Sequence, residues 1–300
     1  MAKITMDQIK ELREKTQVGM MDCKNALEQA QGDMEKAIEL LRKKGAAVAA
    51  KRADKEAKHG RVESYISNNH KIGTLAKLNT ETDFSANTQD IKEFTQLLAK
   101  QIADKKPFYI EGEDENALLN QKLESKKITV KEALNELIAK INENIKIGDF
   151  IRFEIKENGF VQSYIHPGST IGTIVELETD KPVEIDKVTG QKISQLAHDL
   201  CMQIAVTNPL SIDSTQLGHK ELEKEREIIR EQLLASGKSE NMIDKIMEGK
   251  IRKYYEEVCL VDQPFIKNDK IKVKKYIEEI EKETGTKINI KGFKRFQIGG

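Results

Sequence analysis

"GRVESYISNNHKIGTLAKLNT" occupies residues 60–80, and residues 159–179 repeat its pattern as "GFVQSYIHPGSTIGTIVELET" at an offset of 99 residues. Ten of the 21 aligned positions are identical. In each copy, apolar residues alternate along two short runs that are joined by a polar turn, Asn-Asn at 68–69 and Pro-Gly at 167–168. This alternation is typical of a β-hairpin with one buried face. The chain therefore contains a duplicated unit that opens with a hairpin.

The segments that follow each hairpin also match. Residues 91–107, "IKEFTQLLAKQIADKKP", align with residues 193–209, "ISQLAHDLCMQIAVTNP", and their apolar residues recur at helical spacing. Residues 145–155 and 288–298 share six of eleven positions and alternate as half-buried strands do. The sequence predicts an α+β fold with two duplicated subdomains, each a three-stranded antiparallel sheet backed by helices.

The first fifty residues read as three short helices around one small core. Thr5 and Gln8 form a predicted capping box, and Asp22 and Asp33 are predicted to cap the second and third helices. The neighbouring Met20 and Met21 precede the second helix and cannot both face one core. Loose core packing and an adaptable contact surface for a partner are both open readings of this methionine pair.

The second unit carries an insertion at residues 217–258. Leu222, Ile229 and Leu233, then Ile243, Ile246 or Met247, and Tyr254, form two apolar stripes that are interrupted at "ASGKSEN". This pattern predicts an antiparallel coiled-coil hairpin. The expected domains are an N-terminal helical module at 1–54, a first core subdomain at 55–156 and a second at 157–300.

Composition narrows the class of protein. Lysine plus arginine and aspartate plus glutamate number 50 each, so no global field draws the chain onto nucleic acid or an anionic membrane. The N-terminus resembles neither a secretory signal nor a transit peptide, and there is no apolar run of about 18 residues. We expect a cytoplasmic protein with no membrane contact. Binding to RNA or the ribosome through the basic segment 43–61 stays open as a second reading, beside a solvated helix face.

The spacing of the histidines and cysteines favours a binding protein over an enzyme or a metalloprotein. The five histidines lack metal-type spacing, and Cys23, Cys201 and Cys259 lie far apart without a CxxC pair. We expect buried, reduced thiols, no metal, no cofactor and no enzyme activity. His166 alone is singled out, because it lies at a predicted hairpin tip, where exposed side chains often bind.

Between hairpin and helix the two copies differ. Residues 81–90 read "ETDFSANTQD", whereas residues 178–191 read "ETDKPVEIDKVTGQ". A phenylalanine that the fold required as a core plug should recur in both copies, and Phe84 does not. We therefore expect Phe84 to be at least partly exposed and to act as an anchor for a partner, behind Asp83 as a helix cap.

Four motifs carry a resemblance to a known family: "TQVGMMDCKNAL" (16–27), "TDFSANT" (82–88), "HPGSTIGTIV" (166–175) and "DQPF" (262–265). In these motifs and their order, the chain resembles bacterial translation elongation factor Ts over nearly all 300 residues. The resemblance implies a guanine-nucleotide exchange factor for the GTPase elongation factor Tu. It also implies that the N-terminal module is similar to a ubiquitin-associated domain.

The same resemblance implies roles for particular residues. The tip formed by Thr82, Asp83, Phe84 and Ser85 would enter the GTPase and dislocate its magnesium ion. A second set would touch the GTP-binding domain, and it comprises Arg13, Met20 and Met21. His166 would contact another domain of the partner.

Some positions depart from the family pattern. Ser85, Asn87 and Thr88 replace a usual valine and the basic and polar residues after it, so the outer contacts of the tip are expected to differ. The sequence ends at Gly300, where some family members add a C-terminal helical module, and that contact is expected to be absent. A homodimer through the core or the coiled coil is left open.

Overall fold

The N-terminal helices are α1 (Met6–Thr16), α2 (Met20–Gln29) and α3 (Met34–Arg52). They belong to a computed structural model that describes residues 4–16, 18–124, 128–237 and 239–299. Ile9, Leu12, Cys23 and Leu27 are buried together and hold the three helices in one core. The predicted helical module is thus present in the fold.

Two of the three caps predicted for the N-terminal helices are confirmed. Thr5 donates its N–H to the Gln8 side chain (3.0 Å), and Gln8 donates its N–H to the Thr5 hydroxyl (3.2 Å). Asp33 accepts from the N–H of Lys36 at 3.1 Å. The prediction for Asp22 is wrong, because α2 begins at Met20 and places Asp22 inside the first turn.

The first duplicated unit has the predicted order. Its elements are β1 (His59–Ile66), β2 (Ile72–Thr80), α4 (Asp83–Ala86), α5 (Gln89–Lys105), α6 (Val130–Ile141) and β3 (Ile145–Glu154). The strands form an antiparallel sheet in the order β1-β2-β3. Leu78 of β2 packs with Leu98 of α5 and Leu137 of α6, so the helices cover one face of the sheet.

The second unit repeats this plan with additions. Its elements are β4 (Gly159–Ile165), β5 (Ile171–Thr179), α7 (Val188–Thr207), α8 (His219–Ala235), α9 (Glu240–Val258), β6 (Pro264–Phe265), β7 (Asn268–Lys272), α10 (Val273–Thr284) and β8 (Ile288–Gln297). Strands β4, β5 and β8 form the antiparallel sheet, and β6 pairs with β7. The repeat therefore predicted both hairpins, both long helices and both closing strands.

The insertion is a helical hairpin. Ile229 and Leu233 of α8 are buried together with Ile243 and Ile251 of α9. Tyr255 packs against this cluster where Tyr254 was predicted, because Tyr255 lies four residues after Ile251 on the same helical face. In the connecting turn, Gly237 adopts a positive φ of 75°, and Lys238 lies outside the described residues.

The two sheets face each other through their uncovered sides. Val62 and Leu75 pack with Val161 and Ile174. A Cβ at Gly73 would lie 2.4 Å from Val161 Cγ1, and a Cβ at Gly172 would lie 2.5 Å from Val62 Cγ1. The glycine that both copies share therefore permits the sheets to approach closely.

The first part of the basic segment, as far as Arg52, continues α3 as a helix. It packs on α6, where a Cβ at Gly45 would lie 3.3 Å from the Asn135 carbonyl oxygen. The N-terminal helices are thus joined to the first unit by packing as well as by the chain. Among the described helices, none combines the length and apolar character needed to cross a membrane.

Candidate functional site

Phe84 projects from α4, a single helical turn that follows β2. Its side chain is 82% exposed, whereas the next two residues, Ser85 and Ala86, are buried. The backbone of the turn is therefore anchored in the protein while the ring points into solvent. The prediction that Phe84 is at least partly exposed is confirmed, and the ring is not a core plug.

A carboxylate from a distant part of the chain holds α4 in place. Glu143, between α6 and β3, accepts hydrogen bonds from the Thr82 N–H (3.1 Å), the Thr82 hydroxyl (2.8 Å) and the Ser85 hydroxyl (2.6 Å). Hydrogen bonds to an ionised acceptor are stronger than those between neutral groups. Ser85, a departure from the usual family residue, thus has a structural partner in this chain.

Thr82, not Asp83, caps α4. The Thr82 hydroxyl accepts from the Ser85 N–H at 3.2 Å, and its backbone is extended, as expected at an N-cap. Asp83 is exposed and is the first residue of the helix, where its negative charge interacts favourably with the helix dipole. The prediction placed the cap at Asp83, one residue after the observed cap. Threonine and aspartate both cap helices well, and the pattern of a one-turn helix does not show at which of two adjacent residues it begins.

The N-terminal candidates lie on a separate group of elements. Met20 and Met21 begin α2 and are 42% and 65% exposed, and Arg13 is exposed on α1. The buried stripe of α2 begins at Cys23, so neither methionine belongs to the core. Of the two interpretations of this pair, loose core packing is therefore wrong. The two methionines form an exposed apolar pair, and a role as a contact surface stays a prediction.

His166 lies at the tip of the β4–β5 hairpin, as predicted, and is exposed. The Tyr164 hydroxyl and the His166 Nδ1 are 3.0 Å apart, and the two rings meet edge to face. The His166 carbonyl also accepts from the Ser169 N–H at 2.8 Å. The imidazole is therefore oriented by its own hairpin.

One buried arginine connects these elements across the sheets. Arg61 of β1 donates to the carbonyl of Ala86 in α4 (3.0 Å) and to the hydroxyl of Ser169 in the His166 hairpin (3.1 Å). Sequence reasoning missed Arg61 and Glu143, because each acts through contacts with residues distant in the chain.

The basic segment at 43–61 is extensively ion-paired. Lys44 lies 2.6 Å from Asp22, Arg52 lies 3.6 Å from Glu81, and Arg61 is paired with Glu63 inside the protein. Lys43 and Lys58 pair with Glu39 and Glu56, each at 2.8 Å. These carboxylates neutralise much of the positive charge that an RNA-binding face would need.

The cysteines are buried, free thiols, as predicted. Burial raises the pKa of Cys201 to about 12, so that its thiol stays protonated near neutral pH. Within the ranges that the structure describes, no group of three or more His, Cys, Asp or Glu side chains could hold a metal ion.

Comparison with known proteins agrees with the four motifs. A sequence profile described as "Elongation factor TS" matches residues 81–300, more than half of the chain. The chain belongs to the elongation factor Ts family. Elongation factor Ts of Clostridium novyi is 43% identical over 297 residues, which cover 99% of this chain and 93% of the relative. The proteins of the same name from Clostridium perfringens strain SM101 and Clostridium tetani are 44% and 42% identical at the same coverage.

The family resemblance of the motifs is therefore confirmed, and the chain is a translation elongation factor by family. The profile match to elongation factor Ts begins at Glu81, two residues before α4. The pairwise matches to elongation factor Ts extend over 99% of the chain and so include most of the N-terminal helices.

Proposed function

We propose that this chain is a guanine-nucleotide exchange factor that binds elongation factor Tu in its GDP-bound form and promotes GDP release, so that GTP can bind. The observation that carries the proposal is Phe84, 82% exposed on a helix whose backbone and polar side chains are held by Glu143. An exposed ring on a fixed support can enter a partner with little ordering cost.

The mechanism is thermodynamic linkage between two ligands of the GTPase. Thr82, Asp83, Phe84 and Ser85 form the tip that enters near the magnesium ion and displaces it. If the tip binds best when the magnesium site is disturbed, it lowers the affinity for GDP by the factor with which GDP lowers the affinity for the tip. Exchange then needs no covalent step, and the chain is not an enzyme in the chemical sense.

Magnitudes indicate that the tip does not act alone. A thousandfold faster release requires about 4 kcal/mol of transition-state stabilisation, whereas full burial of one phenylalanine contributes about 1.5–3 kcal/mol. We infer that Arg13, Met20 and Met21 contact the GTP-binding domain, and that His166 contacts another domain. These contacts supply the remainder and hold the tip in register.

Further parts of the architecture belong to the same proposal. The helices α1–α3 form a ubiquitin-associated-like module at 1–54, followed by core subdomains at 55–156 and 157–300, and α8 with α9 form a coiled-coil hairpin. The setting of the activity is the cytoplasm, where elongation factor Tu works.

Stopped-flow fluorescence tests the proposal. Elongation factor Tu loaded with a fluorescent GDP analogue is mixed with excess unlabelled GDP and increasing concentrations of the chain. The release rate should rise with chain concentration to a plateau, and added magnesium should raise the chain concentration needed. A release rate that is independent of the chain would refute exchange activity.

Binding to RNA or the ribosome is the competing function, and the ion pairs of the segment 43–61 weigh against it. It predicts RNA binding whose affinity falls steeply with salt, because phosphate contacts release counterions. Measuring RNA affinity at two salt concentrations, beside the release assay, separates the two functions.

A further inference from the structure

Arg61 is a buried cation at the junction of the two duplicated units. The residue is 7% exposed, and its Nε donates to the Glu63 carboxylate at 3.0 Å. Its Nη2 is also bonded to Glu63 and donates to the Ser169 hydroxyl at 3.1 Å, while its Nη1 donates to the Ala86 carbonyl at 3.0 Å. One rigid, planar guanidinium thus joins three segments, namely its own strand β1, α4 and the β4–β5 hairpin.

Two of these segments carry proposed partner contacts. Ala86 is the last residue of α4, two positions after Phe84. Ser169 lies in the hairpin tip of His166, and its carbonyl oxygen accepts from the Val62 N–H at 2.7 Å. Because Arg61 and Val62 are neighbours in β1, this strand holds the tip of the second unit at two points.

The duplication shows that the fold does not need an arginine here. The strand "GRVESYI" of the first unit corresponds to "GFVQSYI" in the second, where Phe160 replaces Arg61 and Gln162 replaces Glu63. Phe160 is 1% exposed and packs in the core between β4 and α7. The Arg61–Glu63 pair therefore occupies a place that an uncharged pair fills in the other copy.

We propose that Arg61 is a positioning residue for nucleotide exchange, which fixes the Phe84 helix relative to the His166 hairpin so that both meet the partner at once. This inference rests on the exchange function proposed above. If either element could shift independently, part of the binding free energy would be spent on ordering it, and less would remain to distort the magnesium site.

The test transfers the strand residues of the second unit into the first, as Arg61→Phe combined with Glu63→Gln. This double variant leaves no buried charge without a partner. The plateau release rate of the GDP analogue should fall about 2- to 30-fold, the range for residues that couple two sites without touching a ligand. Arg152→Met is the matched control, because Arg152 is a largely buried arginine of the same sheet that donates to the Ala103 carbonyl and not to α4. Its plateau rate should equal that of the parent.

The same double substitution is also made in the Phe84→Ala variant, to distinguish loss of positioning from a general loss of folded structure. In Phe84→Ala, the double substitution should leave the plateau rate where Phe84→Ala alone puts it, because the ring that Arg61 positions is absent. If the double substitution lowers the plateau rate of Phe84→Ala further, by the same factor as in the parent, the inference is overturned. It is also overturned if the double variant with Phe84 intact has the plateau rate of the parent. If the parent chain itself does not accelerate release, the exchange function has failed instead.

Ser169→Ala covers the case in which the double variant unfolds. It removes the hydroxyl that Arg61 bonds and keeps the charge pair with Glu63. Its plateau rate should fall less than that of the double variant, at an unchanged melting temperature. A rate equal to the parent would contradict the coupling between the two elements.

Discussion

Replacing Phe84 with alanine should separate folding stability from exchange more sharply than other changes at the tip. The ring is 82% exposed, so less than a fifth of its surface would lose contacts on truncation. A buried phenylalanine costs about 3–5 kcal/mol when cut to alanine, and in proportion the Phe84 substitution should cost below about 1 kcal/mol. The hydrogen bonds of Thr82 and Ser85 to Glu143 do not involve the ring and remain.

Exchange should respond much more strongly than stability. Burial of the ring in the partner contributes about 1.5–3 kcal/mol, and each 1.36 kcal/mol is tenfold in rate. Phe84→Ala should therefore slow GDP-analogue release by about 10- to 150-fold. Release should stay faster than the spontaneous rate, because the N-terminal and His166 contacts are unchanged.

Phe94→Ala is the matched control within the same unit. Phe94 is 9% exposed and belongs to the core between the sheet and its helices. Its truncation should lower the free energy of unfolding by about 3–5 kcal/mol. Thermal melts and stopped-flow release are measured on both variants. A Phe84→Ala protein that is destabilised like Phe94→Ala, yet exchanges nucleotide at the parental rate, would refute the assignment of the ring as a partner anchor.

Three further predictions concern other residues of the same surfaces and the acid stability of the first unit. Thr82→Ala removes both the helix cap and the hydroxyl that donates to Glu143, so it should cost at least about 0.5–2 kcal/mol. Asp83→Ala should leave the melting temperature nearly unchanged. Thermal melts measure both variants, and equal destabilisation by the two would contradict the cap at Thr82. Met20→Ala and Met21→Ala should both melt like the parent, and at least one should weaken binding to elongation factor Tu by about 1 kcal/mol or more, as interface anchors do; calorimetric titration measures this, and two parental affinities would exclude the contact. The Arg152 and Lys106 side chains lower the pKa of Glu154 from 4.5 to about 2, so its ionised form stabilises the fold above pH 4.5 and this contribution is lost as pH falls towards 2. Because the carboxylate is partly exposed, this contribution to the free energy of unfolding should stay below about 1 kcal/mol. Glu154→Gln should reduce the pH dependence of the free energy of unfolding between those pH values, as measured by denaturant unfolding at several pH values.

The repeat made most of the fold predictable. Each hairpin, long helix and closing strand was supported twice, by its own periodicity and by its counterpart. The exposure of Phe84 followed from the same comparison, because the second copy has Lys181 and Pro182 in that region. Local capping was less predictable, since Thr82 and Asp83 are adjacent and the choice depends on where a one-turn helix begins.

The supports of the site were not predictable from the sequence for a physical reason. Glu143 reaches Thr82 across 61 residues, and Arg61 reaches Ala86 across 25 and Ser169 across 108. Single charged residues near strand ends carry no periodic signal, and in a chain with 100 charged residues most of them are solvated. Pairing of β2 with β3 places Glu143 beside Thr82, and packing of the two sheets places Ser169 beside Arg61.

The two hairpin tips show how a symmetric frame can carry an asymmetric surface. Val62 donates to the Ser169 carbonyl at 2.7 Å, and the equivalent Val161 donates to the His70 carbonyl at 2.8 Å, so each unit holds the tip of the other in the same way. Yet the tip of the second unit bears His166 beside the Tyr164 hydroxyl, and the first unit bears α4 with Phe84. Because the shared bonds use backbone atoms and small apolar residues, side chains at the tips can differ without altering the frame. Stability and partner recognition should therefore respond to different substitutions, and Arg61 is the exception, since it is a buried side chain that bonds both contact elements.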